Sequence, residues 1–263
     1  MGFWSNLFGG NEKERSQSGS HHNKLAWIGW DMHNHILPGI DDGSQDVEQS
    51  IELIKGLQEL GIHRSISTPH VMAGVHNNTP ESISGSHATL QFALKNQNID
   101  FQLHFSAEYM IDDQLDQWIE SNKLCLMGEK YMLIEMSYLS ESKALFSIIK
   151  SIQDKGYQPI LAHPERYNYY HNNFKIFEDI KNAGCMLQLN LLSISKYYGE
   201  NVKTAALTLI RSGMYDFVGT DMHHTRHLEA LKQVVSKYDV QDLLNENPIR
   251  NANLFSDKVR NIA

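Results

Sequence analysis

The feature that most constrains this chain is a repeated pairing. Short apolar runs each end in a polar residue of a type that binds metals, and each then gives way to an amphipathic stretch. The runs at residues 26–30, 65–68, 101–106, 131–134, 159–162, 185–189 and 216–219 read as strands. Helical patterns lie over residues 46–60, 81–95, 113–120, 142–155, 174–182, 202–212 and 227–237, and residues 240–263 read as further helix, broken before Pro248. After the strands come His33 and His35, then His70, Glu108, Glu135, His163, Asn190, and finally Asp221 with His223. From His35 onward the steps are 35, 38, 27, 28, 27 and 31 residues. Each step is the length of one β/α unit, so the alternation implies parallel strands joined by crossover helices. Seven units predict an α/β fold, a seven-stranded (β/α)7 barrel. Active sites of such barrels form at the C-terminal strand ends, where these His, Glu and Asp residues fall.

Composition excludes several alternatives. The net charge of -8 over 263 residues argues against a general affinity for nucleic acid or an anionic membrane. No apolar run reaches the 18 or so residues of a membrane span. The two cysteines, Cys125 and Cys185, read as small buried hydrophobes of a chain from a reducing compartment. Phosphate loops, the Gly-x-Gly-x-x-Gly fingerprint, His-Glu-x-x-His and the Gly-x-Ser-x-Gly elbow are absent. Neither cysteine has an arginine six residues on, as a cysteine phosphatase loop requires. Residues 1–24 read as a mobile N-terminal arm, carrying the apolar cluster Phe3, Trp4, Leu7 and Phe8, and neither a secretory nor a myristoylation signal fits it. Residues 25–263 read as a single domain.

The residue types point to metal chemistry. Side chains repeat with period two along a strand, so His33 and His35 can reach one ion. Imidazole mixed with carboxylate suits Mn, Fe or Zn better than Ca. His-x-His alone is a weak signal; the five later strand-end positions make it strong. The segment from His33 to Gly43, followed by Thr68-Pro69-His70, resembles the PHP (polymerase and histidinol phosphatase) superfamily. More narrowly it resembles the bacterial manganese-dependent tyrosine-protein phosphatases of capsule and exopolysaccharide operons, the CpsB/YwqE type. Glu108, Glu135, the His163-Pro164-Glu165-Arg166 run and Asp221-Met222-His223 continue the match in order over about residues 27–255.

The resemblance implies a distorted seven-stranded barrel holding three divalent ions, Mn2+ foremost, with Fe or Zn as alternatives. It assigns His33, His35, Glu108 and Asp221 to one ion. Glu108, Glu135 and His163 go to a second, and Asp42, His70 and His223 to a third. It also assigns Arg166 and Arg226 to phosphate binding, a role the planar guanidinium fork suits. Three divalent ions among four carboxylates leave a net charge of about +2, matched to a phosphate monoester of about -2. Such ions make hydroxide available near pH 7 or so, which implies direct in-line attack on phosphorus without a phospho-enzyme.

The expected substrate is a tyrosine-phosphorylated protein, a bacterial tyrosine kinase controlling polysaccharide synthesis, and the expected location is the cytoplasm. Three alternatives stay open on sequence: a histidinol-phosphate phosphatase, an amidohydrolase barrel, and a metal-stabilised adaptor without activity. His21, His22, His63, His76, His87, His104 and His171 carry ordinary structural or solvated readings. His224 and His227 stand near the seventh strand as candidates for supporting roles.

Overall fold

A computed structural model describes residues 21–255, apart from 122 and 129. Eight strands are present among them: β1 (Arg64–Ser67), β2 (His70–Val71), β3 (Gln102–Phe105), β4 (Glu108–Met110), β5 (Tyr131–Glu135), β6 (Gln158–Ala162), β7 (Met186–Asn190) and β8 (Phe217–Gly219). All their pairings are parallel. They form a two-stranded sheet, β1-β3, and a six-stranded sheet in the order β2-β4-β5-β6-β7-β8. The helices are α1 (Val47–Glu59), α2 (Pro80–Asn96), α3 (Leu115–Ser121), α4 (Leu145–Asp154), α5 (Lys175–Asn182), α6 (Glu200–Arg211), α7 (Thr225–Lys237) and the short α8 (Val240–Leu243). The α/β alternation expected from the sequence is therefore present, with the strands divided between two sheets.

Period two along the strands separates two cores. Leu133 on β5, Ile160 and Ala162 on β6, and Phe217 on β8 join Trp30, Met32 and Ile66 in one cluster. The intervening Met132, Ile134, Leu161 and Val218 join the larger cluster that the helices cover. The first cluster ends abruptly toward the C-terminal strand ends. Two residues beyond Leu133 stands Glu135, and two beyond Met186 stands Gln188, followed by Asn190. The face that is apolar lower down thus becomes polar where the site lies.

Two expectations are corrected. Residues 26–30 do not form a strand: Ala26–Ile28 is a 3-10 turn, and Gly29 at φ +77° reverses the chain after it. Leu25, Ile28 and Trp30 are buried here, and the Ile28 N–H donates to the Leu25 carbonyl at 3.1 Å, which closes a tight turn. The extended segment comes later, through isolated parallel bridges Asp31–Ser65 and Asn34–Met222. Nor are residues 240–255, the described part of the C-terminal stretch, largely helical. After α8 the only helical element described is the 3-10 turn Asn251–Asn253. Asparagine side chains explain this, because they compete with helical hydrogen bonding. Asn247 accepts from the Tyr215 N–H and donates to the Ile210 carbonyl. Asn251 accepts from the Val218 N–H and donates to the Trp30 and Val218 carbonyls. The segment is a strap stitched across β8. Residues 1–20 of the expected arm lie outside the described residues. From Asn23 the chain is tied down, with the Asn23 N–H donating to Glu59 and that of Leu25 to Leu60.

One buried carboxylate fastens the first extended segment to the last. Asp31 accepts from the Thr220 N–H at 2.9 Å, the Thr220 hydroxyl at 2.7 Å and the Asn34 amide at 3.0 Å. Burial pushes its pKa up to about 6, against the pull of the Thr220 hydrogen bonds. Asp31→Ala strands these donors in the interior, at about 1–3 kcal/mol for each buried group left unpaired. The variant is expected to lose at least about 3 kcal/mol of stability, seen as a melting temperature lower by roughly 6–12 °C. An unchanged melting temperature contradicts this account of how the ends of the fold are joined.

Candidate metal centre

All nine sequence-predicted ligand residues converge. Glu108, the first residue of β4, stands in the middle. Its Oε2 lies 3.2 Å from His33 Nε2, 3.3 Å from His35 Nε2 and 3.2 Å from His70 Nδ1. Its Oε1 lies 3.1 Å from His163 Nε2. Glu135, the last residue of β5, lies 2.8 Å from His70 Nδ1. Asp221 Oδ1 lies 3.4 Å from His33 and 3.5 Å from both His35 and His223. Asp42, largely exposed at the edge, lies 3.5 Å from His70 and from His223.

The ligand atoms fall into four overlapping groups: His35, Asp42, His70 and His223; His33, His35 and Glu108; His33, His163 and Asp221; and His70, Glu108 and Glu135. The residues are those expected, and one detail of their grouping differs. Glu135 stands with His70, and His163 stands with Glu108, His33 and Asp221.

Neighbouring residues fix the imidazoles. His35 Nδ1 lies 2.7 Å from Asp41 Oδ2, and His33 Nδ1 lies 2.8 Å from Gln188 Oε1. When the rings are neutral, as a metal ligand must be, the proton sits on each Nδ1 and Nε2 is left free on the side of Glu108. Asp41 also accepts from the Gly43 and His70 backbone N–H groups, and Gln188 also accepts from that of His163. Sequence reasoning missed Asp41 and Gln188. Asp41 was hidden beside Asp42, while Gln188 was signalled by lying two residues before Asn190 on the same strand face. Asn190, noted as a strand-end residue, donates its amide to Asp221 Oδ2 at 2.7 Å.

Two site residues hold unusual backbone conformations. His163 has φ +33° and Asp221 has φ +49°. Non-glycine residues in this region are uncommon and strained, and such strain concentrates at functional positions. At Asp221 the conformation lets its N–H reach the His33 carbonyl at 2.7 Å while its carboxylate enters the cluster. Gly219 leaves room there, since a Cβ would come within 2.6 Å of the His33 Cβ.

Charge is concentrated and buried. Burial alone raises the Glu108 pKa, yet the surrounding His33, His70 and His163 hold it well below the ordinary range. Burial disfavours the charged form of His70, and the Glu135 and Glu108 carboxylates more than offset that, holding its pKa at about 9. Burial acts the same way on His35, where Asp41 and Glu108 win. Even so, His70 Nδ1, Glu108 Oε2, Glu135 Oε1 and His163 Nδ1 are buried without a well-aligned hydrogen-bond partner. Buried polar atoms are rarely left so. The first three converge within one of the four groups, and a divalent cation satisfies such a set. The donor chemistry, imidazole with carboxylate, fits Mn, Fe or Zn.

The two arginines part company. Arg166 donates to Asp221 Oδ2 at 2.7 Å. Its guanidinium lies between the rings of Tyr138 and Tyr198, at 4.4 and 4.3 Å from their centroids. Arg226 is exposed on the first turn of α7, outside the cluster, with no ion pair to it among the described residues. His224 caps α7 with its side chain, and His227 Nδ1 accepts from the His223 N–H at 3.2 Å. His227 supports His223 through its backbone, and burial pulls its pKa down to about 3. His76, read as an ordinary loop residue, stacks on His70 with ring centroids 5.5 Å apart.

Comparison with known proteins follows this geometry. Tyrosine-protein phosphatase YwqE of Bacillus subtilis is 28% identical over 236 residues, covering 86% of this chain and 93% of that protein. Tyrosine-protein phosphatase CpsB of Streptococcus pneumoniae is 28% identical over 200 residues, covering 74% and 82%. A crystal structure from work on YwqE and CpsB, described there as unique metal-dependent tyrosine phosphatases, superposes with a TM-score of 0.72 at 26% identity, covering 84% of this chain and 96% of the other. Histidinol phosphate phosphatase of Lactococcus lactis shares the fold, with a TM-score of 0.51 at 13% identity and 80% and 93% coverage. The family model described as capsular polysaccharide synthesis, CpsB/CapC, matches residues 29–253. This chain belongs to the CpsB/CapC family of capsular polysaccharide synthesis.

Proposed function

We propose that this protein is a metal-dependent phosphoesterase that hydrolyses phosphotyrosine on proteins. Its substrate in this reading is a bacterial tyrosine kinase that regulates capsular or exopolysaccharide synthesis, met in the cytoplasm. Among the described residues no helix is long and apolar enough to cross a membrane. The observation that carries the reading is the convergence of five histidines and four acids in one cluster centred on the buried Glu108, which four of the histidines face. The named relatives act as tyrosine phosphatases, and the order of the site residues agrees with that likeness.

In this reading three divalent ions, Mn2+ foremost, are held by His33, His35, Asp42, His70, Glu108, Glu135, His163, Asp221 and His223. When bound, such ions supply Lewis acidity, offsetting the charge of a phosphate monoester and acidifying water toward a pKa of about 7. The chain's own residues do the rest. Arg166 spends one N–H group on Asp221 and keeps others of its fork for phosphate oxygens. The rings of Tyr138 and Tyr198 hold it in place. Arg226 meets phosphate only from the periphery. Asp41 and Gln188 keep His35 and His33 in the tautomer that offers Nε2 inward.

We also read residues 25–263 as one PHP-type domain built on a closed, distorted seven-stranded barrel. Only Thr68-Pro69 separates β1 from β2, and Ser106-Ala107 separates β3 from β4. Taking each pair as one bent strand leaves seven, counting the segment at residues 31–34. The bridges Asp31–Ser65 and Asn34–Met222 support closure.

The direct test is a substrate panel: a phosphotyrosine peptide, histidinol phosphate and a set of amides, each with added Mn2+ and after chelation. Hydrolysis of the phosphotyrosine peptide is expected to vanish on chelation and return with Mn2+. Preferred hydrolysis of histidinol phosphate or an amide, or no metal-dependent hydrolysis at all, contradicts the reading. Arg166→Ala is expected to lower kcat/KM for the peptide by about 10²-fold or more, as loss of a preorganised donor does, with metal content unchanged. Wild-type kinetics in that variant remove Arg166 from the site.

A further inference from the structure

Six large apolar side chains are well exposed among the described residues. Phe92 on α2 and Phe146 on α4 stand singly on outer helices, which is ordinary for a protein surface. The other four surround the candidate metal centre. Leu139 is 94% exposed, Val75 65%, Tyr138 41% and Tyr197 40%. They come from three separate loops: two touch a histidine of the cluster, and the third touches His227, which braces His223.

Val75 tips the turn between Met72 and His76, and the next residue, His76, stacks on His70. Tyr138 and Leu139 follow β5. The Tyr138 hydroxyl lies 3.3 Å from His163 Nε2, and its ring covers Arg166. Tyr197 precedes α6, with its ring 5.3 Å from that of His227, the residue that accepts the His223 N–H. The loops are tethered. The Ala73 N–H donates to Asp112 Oδ2 at 2.8 Å, that of Leu139 to the Ser137 hydroxyl at 3.2 Å, and that of Tyr197 to the Ser195 hydroxyl at 3.2 Å. Apolar side chains are thus presented to water on three hydrogen-bonded loops beside the cluster.

We infer that these residues form a docking collar for the side chains on either side of the phosphorylated tyrosine, and that the collar selects aliphatic or aromatic residues there. The inference rests on the phosphotyrosine reading and adds a sequence preference to it. Continuity with the site names the occupant. An ester held at Arg166 and His163 leaves its neighbouring residues within one or two residues' reach, about 3.3 Å each, of the ring that Tyr138 and Leu139 begin. An extended segment sends alternate side chains to opposite sides, so its flanking residues can meet more than one of the three loops.

The test uses the full chain loaded with Mn2+, 4-nitrophenyl phosphate as a substrate with no flanking residues to meet Val75 or Leu139, and two phosphotyrosine peptides. One peptide carries Leu and Phe beside the phosphotyrosine and the other Ser and Gly. Wild type is expected to favour the apolar peptide in kcat/KM by about tenfold or more, a ratio within reach of pocket contacts of this kind. Val75→Ser combined with Leu139→Ser is expected to erase that preference, with kcat/KM for 4-nitrophenyl phosphate held within about twofold. Equal use of both peptides by wild type overturns the inference while leaving the phosphatase reading intact. So does a double variant that keeps the preference, or one that loses self-association in light scattering with the preference unaltered, which assigns the collar to a second copy of the chain. No hydrolysis of any of the three substrates by wild type overturns the phosphatase reading and the inference with it.

Discussion

Four imidazoles crowd one buried carboxylate, and the rest of the molecule is arranged around holding them there. His33, His35 and His70 face one oxygen of Glu108 and His163 faces the other. Burying a charge without compensation is costly, and packing several titratable groups together multiplies that cost. Protons on His35 and His70 offset part of it, as their raised pKa values indicate. The buried atoms left without aligned partners show what protons alone do not satisfy. A set of such atoms converging on one point is the arrangement a divalent cation completes.

Rigid elements supply the precision. Glu108, Glu135 and Asn190 sit within strands whose lower interior is packed with Leu133, Ile160, Ala162 and Phe217. The segment bearing His33 and His35 is irregular and depends on other fastenings. Asp31 ties it to Thr220, and Asp41 and Gln188 orient its rings. His163 and Asp221 reach the cluster from left-handed backbone conformations, held by the Gln188 side chain and the His33 carbonyl. Arg166 joins the same network through Asp221, which Asn190 also contacts.

Much of this was legible in the sequence because strand ends recur at regular steps and metal ligands are few in kind. Eight of the nine residues that cluster, the parallel β/α order and most helix positions follow from that pattern, while Asp42 came only from the resemblance to the family. The misses have physical reasons. Residues 26–30 are as apolar as a strand, but the Ile28 and Gly29 N–H groups bond back to the Leu25 and Ala26 carbonyls and close a turn. The C-terminal segment has helical composition, but Asn247 and Asn251 give its neighbours' backbone other partners. Asp41 and Gln188 act through another residue's ring nitrogen, and only three-dimensional contact discloses such a role. The stacking of Tyr138 and Tyr198 on Arg166 joins residues far apart in sequence, with no spacing rule to announce it.

The central claim is that Glu108 is shared by more than one ion and that the ions are needed for phosphotyrosine hydrolysis. Elemental analysis of purified wild type and Glu108→Gln, with peptide hydrolysis measured on the same samples, tests it most directly. The account predicts more than one transition-metal ion per chain in wild type. It predicts that the variant loses at least two of them together with its activity. A variant that keeps both its metal and its hydrolysis, or an active wild type with one ion or none, contradicts it.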